Sequence, residues 1–198
     1  MEAASIVTLA EIPAAEARLA GRIWASPCAD SVMLSELTGT SLALKLENLQ
    51  MTGSFKERGA ANALLLLSPE ERARGVITAS AGNHAQALAL HASRLGVAAT
   101  VVMREAGPLV KIQSARRFGA EVMLFGKSYD EAAERALAIA ASRNLVYVHP
   151  FDDPRVIAGQ GTLALEILAQ RPDVEAVVVP VGGGGLLAGM ACAIKETR

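Results

Sequence analysis

Lys56 stands in Ser54-Phe55-Lys56-Glu57-Arg58-Gly59-Ala60, just after a strand-like stretch and at the start of a helix-like one. Ser54 and Glu57 have capping-box spacing, which would make Ser54 the N-cap and put Lys56 in the first turn. Unpaired backbone N–H groups and the helix dipole disfavour a cation there. A destabilised ammonium gives up its proton more readily, and carbonyl chemistry needs the neutral amine. Taken alone, the heptapeptide also fits a solvated lysine that happens to fall near a helix start.

Two further turns narrow that choice. Val181-Gly182-Gly183-Gly184-Gly185-Leu186 joins an apolar stretch to a helix. Its glycines allow a ligand close to the backbone, and a helix N-terminus favours an anion such as phosphate. The segment lacks the G-x-G-x-x-G pattern with its later acid, and no Gly-Lys-Ser/Thr follows, so neither nucleotide fingerprint applies. Thr78-Ala79-Ser80-Ala81-Gly82-Asn83-His84-Ala85-Gln86 is a second strand-to-helix turn. Ser80 or Asn83 could cap its helix, and the exposed N–H groups could hold a carboxylate. An amine, a phosphate cradle and a carboxylate cradle together point to a phosphate-bearing aldehyde acting on an amino acid. That aldehyde is pyridoxal 5'-phosphate.

The elements that must hold these residues alternate. Strands are expected at Leu42–Glu47, Val76–Ala79, Ala98–Met103, Glu121–Phe125, Leu145–Val148 and Val174–Val181. Helices are expected from Phe55 to about Leu67 and from Asn83 to about Leu95, with Gly96 as the stop. Further helices run from Pro108 to about Phe118, from Ser128 to about Arg143 with a capping box to Glu131, from about Thr162 to Gln170, and from Leu186 to about Glu196. The βαβ alternation implies an α/β fold with parallel sheets and right-handed crossovers. All three chemistry-bearing turns would lie at strand C-termini, where open α/β sheets bind ligands. Val174–Val181 is the most apolar strand candidate, yet few strands remain to flank it, so a second sheet is expected to be incomplete.

Composition limits the alternatives. The 198 residues suffice for a sizeable core; 52% are hydrophobic but only 4% aromatic, which suits Ala/Leu/Val helices on a buried sheet. A net charge of -1 without a basic run argues against nucleic acid as a partner. No apolar run reaches the roughly 20 residues that span a bilayer, so no membrane partner is expected. Met1–Ser5 lacks the pattern of a signal peptide, and a cytoplasmic protein is expected. Cys28 and Cys192, with His84, His91 and His149, show no metal-ligand spacing; the cysteines are expected to be reduced, and no metal is expected.

With the segments in view, Leu46 to Ala60 resembles the lysine segment of the serine/threonine dehydratases, which are fold type II (tryptophan synthase β-like) pyridoxal phosphate enzymes. Ser80 to Gln86 resembles their asparagine loop. His149-Pro150-Phe151-Asp152-Asp153, Ile157 to Thr162 and Gly182 to Gly185 follow in the family's order. The resemblance runs from about Ile23 to the last residue. It implies two open parallel αβα subdomains: residues 1–47 opening the large domain, 48–147 forming the small one, and 148–198 returning to a large domain that stops after the phosphate-loop helix.

The resemblance also implies roles. Lys56 would carry the cofactor covalently and move protons at the substrate α-carbon. Phe55 would line the cofactor, and Asn83 would hydrogen-bond its ring hydroxyl. Ser80, Ala81, Gly82, Asn83 and His84 would hold the substrate carboxylate. Gly182, Gly183, Gly184, Gly185 and Leu186 would form the phosphate loop. The implied reaction is β-elimination from L-threonine or L-serine to a 2-oxo acid and ammonia, in amino-acid metabolism such as isoleucine biosynthesis, by a homo-oligomeric enzyme. Departures include Met103-Arg104 where Met-Pro is usual, and Ala87 where Gly is usual. A racemase of the same family is an alternative reading; its members carry a serine where this chain has Ala81, and an alanine moves no proton. A non-catalytic remnant is the other alternative, because family members continue well beyond the glycine loop.

Overall fold

A computed structural model describes residues 7–8 and 10–197; Met1–Ser5, read above for a signal peptide, lie outside the described residues. The chain opens with helix α1 (Glu11–Leu19), strand β1 (Cys28–Asp30), helix α2 (Val32–Thr38) and strand β2 (Ala43–Lys45). The expected strand at Leu42–Glu47 is thus shorter, and it pairs antiparallel with β1, Ala29 opposite Leu44, outside the main sheet.

The parallel sheet follows. Its strands are β3 (Val76–Ala79), β4 (Ala99–Met103), β5 (Glu121–Leu124) and β6 (Val146–Tyr147), in spatial order β5-β4-β3-β6. Val76 sits opposite both Ala99 and Val146, so β3 is flanked by parallel strands on either side. β3 and β4 are buried throughout, which matches their near-continuous apolar sequence. The connecting helices are α3 (Lys56–Leu65), α4 (Pro69–Arg74), α5 (Asn83–Arg94), α6 (Leu109–Arg117) and α7 (Tyr129–Arg143). Side-chain alternation divides them between two faces. Val76, Val101 and Met103 meet Leu64, Leu88 and Ile112 on one side. Ile77, Ala79 and Val102 meet Ala132, Ala136 and Ile139 of α7 on the other.

A third core joins α1 to α8 (Pro154–Gln170) and α9 (Gly185–Thr197) through Ile12, Ala15, Ile157, Leu163, Leu186 and Met190. α8 and α9 nearly touch: a β-carbon on Gly189 would lie 2.3 Å from the Ile157 carbonyl oxygen. α8 starts eight residues before the expected Thr162, because Asp153 accepts the Arg155 N–H and Pro154 fits the first helical position. Val174–Val181 forms no strand among the described residues. Val177 and Val179 pack on the α8–α9 core, whereas Val178 is 98% exposed and Val181 63%. One face of this apolar run is covered and the other is open. A buried network anchors β2 to the helices: Arg58 binds both Glu47 and Glu166, and Lys45 reaches Glu166, the Ser26 carbonyl and Gln170.

Candidate active site

Lys56 is the first residue of α3, as its sequence position implied. The reason differs from the expected capping box. Phe55 is the residue at the cap, no side chain caps the helix, and the buried Ser54 Oγ has no hydrogen-bond partner among the described residues. Glu57 turns inward instead: it is fully buried, accepts the Thr52 N–H, and meets His91 Nε2 at 3.3 Å. Burial pushes the Glu57 carboxyl up, but these hydrogen bonds outweigh it and hold the group below its usual range. Glu57 thereby ties the turn before Lys56 to α5.

The Lys56 amine donates to the Pro150 carbonyl oxygen at 2.7 Å and lies 5.3 Å from the centroid of the Phe55 ring. Burial lowers its pKa. Two imidazoles act on the same space. His84 is pushed down to about 3, first by complete burial and then by the Lys56 charge. His149 is lowered by burial, with the Lys56 charge adding to it. Both are shifted toward the neutral form, so neither imidazole adds a positive charge beside the amine.

Parallel pairing explains the convergence. β3 and β6 are neighbours, so the turns after them meet at one end of the sheet. After β3, Ser80 accepts the Gly82 N–H through its Oγ at 3.2 Å, and Gly82 caps α5 without a side-chain bond. Neither Ser80 nor Asn83 is the helix cap, although the sequence allowed either. Asn83 opens α5, and its Oδ1 accepts from Lys111 Nζ at 2.7 Å. Ala81 is partly buried against the core, and His84 is buried behind the turn.

After β6, His149 Nδ1 accepts the Asp152 N–H at 2.8 Å. The His149 and Phe151 rings meet edge to face, 4.5 Å between centroids. Phe151 in turn forms the floor of the glycine turn. A β-carbon on Gly183 would stand 2.2 Å from the ring, and one on Gly185 would stand 2.5 Å from the Phe151 carbonyl oxygen. Gly184 adopts a φ of +87°, which side chains resist. Gly182 and Gly184 meet nothing within 4 Å of a built β-carbon, so that side of the turn is open. α9 starts at Gly185, and its ladder begins with the Ala188 N–H bonded to the Gly184 carbonyl. The N–H groups just before it have no intrahelical acceptor. Leu186 is buried in the α8–α9 core and anchors the turn.

A phosphate-bearing aldehyde would find complementary groups here. The turn has an open side, free amide donors and a positive helix end for a phosphate. The lysine has a lowered pKa, and among the described residues no acid pairs with it. Buried polar atoms at Thr52, Ser54 and Gln86 have no hydrogen-bond partner among the described residues. The residues fit. Among the described residues, no cluster of His, Cys, Asp or Glu could hold a metal ion. Sequence reasoning gave no role to Pro150, Phe151 or Lys111. Pro150 and Phe151 lay inside a recognised motif, while Lys111 gave no local signal at all.

A family model for pyridoxal-phosphate dependent enzymes matches residues 19–198. The chain belongs to that family. An L-threonine ammonia-lyase of Thermotoga maritima is 54% identical over 191 residues, which cover 96% of this chain and 48% of that protein. The processed form of threonine deaminase isoform 2 from Solanum lycopersicum superposes with a TM-score of 0.87 at 45% identity, over 95% of this chain and 51% of its own. A pyridoxal 5'-phosphate-dependent aspartate racemase superposes with a TM-score of 0.93 at 40% identity, over 97% of this chain and 60% of its own. The chain spans about half the length of the curated relatives it matches. The α/β architecture expected from the sequence is therefore that of this enzyme family. No helix among the described residues is long and apolar enough to cross a membrane.

Proposed function

We propose that this chain forms the lysine-bearing part of a pyridoxal phosphate-dependent ammonia-lyase that converts L-threonine or L-serine to a 2-oxo acid and ammonia. The observation that carries this reading is the amine of Lys56, desolvated at a helix start and bonded to Pro150, beside a glycine turn packed on Phe151. The likeness to proteins named threonine ammonia-lyase and threonine deaminase supports the substrate class.

Lys56 would hold the cofactor, Phe55 would line it, and Gly182–Gly185 with Leu186 would receive its phosphate on backbone N–H groups. Asn83 would face its ring oxygen. Ser80, Ala81, Gly82 and His84, with Asn83, would present the turn that receives the substrate carboxylate. When bound, pyridoxal phosphate supplies an electron sink for the charge left at the substrate α-carbon. Removal of the α-proton then falls to Lys56, whose neutral form is favoured by burial and by the helix end. Loss of the β-hydroxyl with that proton would release water; the enamine left behind would take up a proton at its β-carbon, and water would hydrolyse the resulting imine, so the net products are the 2-oxo acid and ammonia. Burial holds His84 and His149 toward their neutral forms, so neither adds a positive charge beside Lys56. The domain division at residues 47/48 and 147/148 belongs to the same reading, as do a homo-oligomeric state, a cytoplasmic location and a place in isoleucine biosynthesis.

A racemase is the second reading, favoured by the racemase superposition. Ala81 stands against it, because a methyl group donates no proton. The test is release of 2-oxo acid from L-threonine and L-serine. Lys56→Ala should lower turnover by about 100-fold or more, in line with loss of a positioned base. Rapid formation of the D-isomer without 2-oxo acid would favour the racemase instead.

A further inference from the structure

The residue behind Asn83 is as informative as Asn83 itself. An ammonium only donates hydrogen bonds, and an amide oxygen only accepts them. The 2.7 Å contact from Lys111 Nζ to Asn83 Oδ1 therefore fixes which end of the amide faces α6. The donor end, Nδ2, is left for the other side. The placement of the charge is also unusual. Lys111 is the third residue of α6 and Asn83 the first of α5, so the ammonium sits between two helix N-termini. Both helix ends repel a cation and attract an anion. No described carboxylate pairs with Lys111; its partner is a neutral amide. An anionic oxygen on the far side of Asn83 would complete the arrangement.

We propose that Lys111 is a positioning residue: it holds Asn83 with its N–H groups toward the ring oxygen of pyridoxal phosphate and places a fixed positive charge behind that bond. The proposal rests on the cofactor reading above. The chargeable groups that act on one another around the Lys56 amine are His84 on α5 and His149, Asp152 and Asp153 after β6. His84 and His149 are shifted toward the neutral form.

The experiment is a pH titration of the visible absorbance of bound pyridoxal phosphate, at saturating cofactor, in wild type, Lys111→Met, Lys111→Arg and Asn83→Ala. Removing a nearby cation makes a proton easier to hold, so the midpoint in Lys111→Met should rise by about one pH unit. Lys111→Arg should restore it, and Asn83→Ala should shift it as well. If Asn83→Ala shifts the midpoint and Lys111→Met does not, the proposal is overturned while the cofactor reading stands. A shift in Lys111→Met with none in Asn83→Ala also overturns it, since the lysine would then act without the amide. If neither variant shifts, Asn83 does not face the ring and its assignment falls. A wild type with no cofactor absorbance at all would contradict the proposed function itself. Should Lys111→Met fail to fold, Lys111→Gln removes the same charge with a polar side chain and carries the same expectation.

Discussion

Gly183 lies directly on the ring of Phe151: a β-carbon at that glycine would stand 2.2 Å from the aromatic Cγ. The contact locks the turn that precedes α9 to the segment whose Pro150 carbonyl receives the Lys56 amine. Two elements distant in sequence, the lysine and the glycine turn, are therefore held by one dipeptide, Pro150-Phe151.

Gly183→Ala should displace either the ring or the turn, at a cost of about 1–3 kcal/mol typical of overpacking. Affinity for pyridoxal phosphate should fall by about tenfold or more, while affinity for unphosphorylated pyridoxal changes little. Gly182→Ala, where a β-carbon meets nothing within 4 Å, should be much milder. Equilibrium titration of both ligands against both variants checks this. Equal losses for the two ligands would mean that the turn does not serve the phosphate.

Arg58 holds Glu47 and Glu166 together in a nearly dry site, and these bonds raise its own pKa against the effect of burial. Arg58→Met should leave two partly buried carboxylates without their main partner. The expected loss is about 3–5 kcal/mol of unfolding free energy, measured by urea denaturation. Lys45 can reach only Glu166 of the two, so it should not compensate.

His84 gives stability a pH dependence of definite sign. Its folded pKa of about 3 lies below the ordinary 6.5. As pH falls below 6.5 the unfolded chain takes up a proton that the folded chain refuses, so folding weakens as pH falls from 6.5 toward 3. Glu57, with its lowered pKa, acts in the same direction at the acid end. His84→Gln should flatten the stability profile in that window by up to about 1.4 kcal/mol per pH unit. Denaturation midpoints of both proteins across pH 4 to 8 would show it, and parallel profiles would count against a buried neutral His84.

Ala81→Ser would place a hydroxyl on the turn opposite the lysine side assumed for proton transfer. The ratio of D-isomer to 2-oxo acid formed from L-serine should rise. An unchanged ratio would mean that position 81 does not face the α-carbon.

The legible parts of the sequence were those where a local rule and burial agreed. β3 was read to its residue limits because Val76–Ala79 is apolar on both faces and must lie inside a parallel sheet. The onset of α5 at Asn83 was also legible. Ser54 and Glu57 misled, because spacing shows that a capping box is possible but not that His91 and the Thr52 N–H compete for Glu57. A true capping box, Ser68 with Glu71 on α4, passed unnoticed beside it. The strand expected at Val174–Val181 failed for a different reason. Strand formation needs a neighbour, and among the described residues this run has none. Within the site, Lys56 and the glycine turn were visible as local oddities of charge and composition. Lys111 was not, because its importance arises from a contact with Asn83, 28 positions away in sequence.

Borohydride reduction of the protein with bound pyridoxal phosphate, followed by peptide mapping, tests the central claim most directly. Reduction fixes the cofactor to the nitrogen that holds it. Lys45 is engaged by Glu166, the Ser26 carbonyl and Gln170, and Lys111 by Asn83, whereas Lys56 has one carbonyl partner and a pKa lowered by burial. The label should fall on Lys56 alone and vanish in Lys56→Ala. A label on Lys45 or Lys111 in the folded wild-type protein would contradict the account.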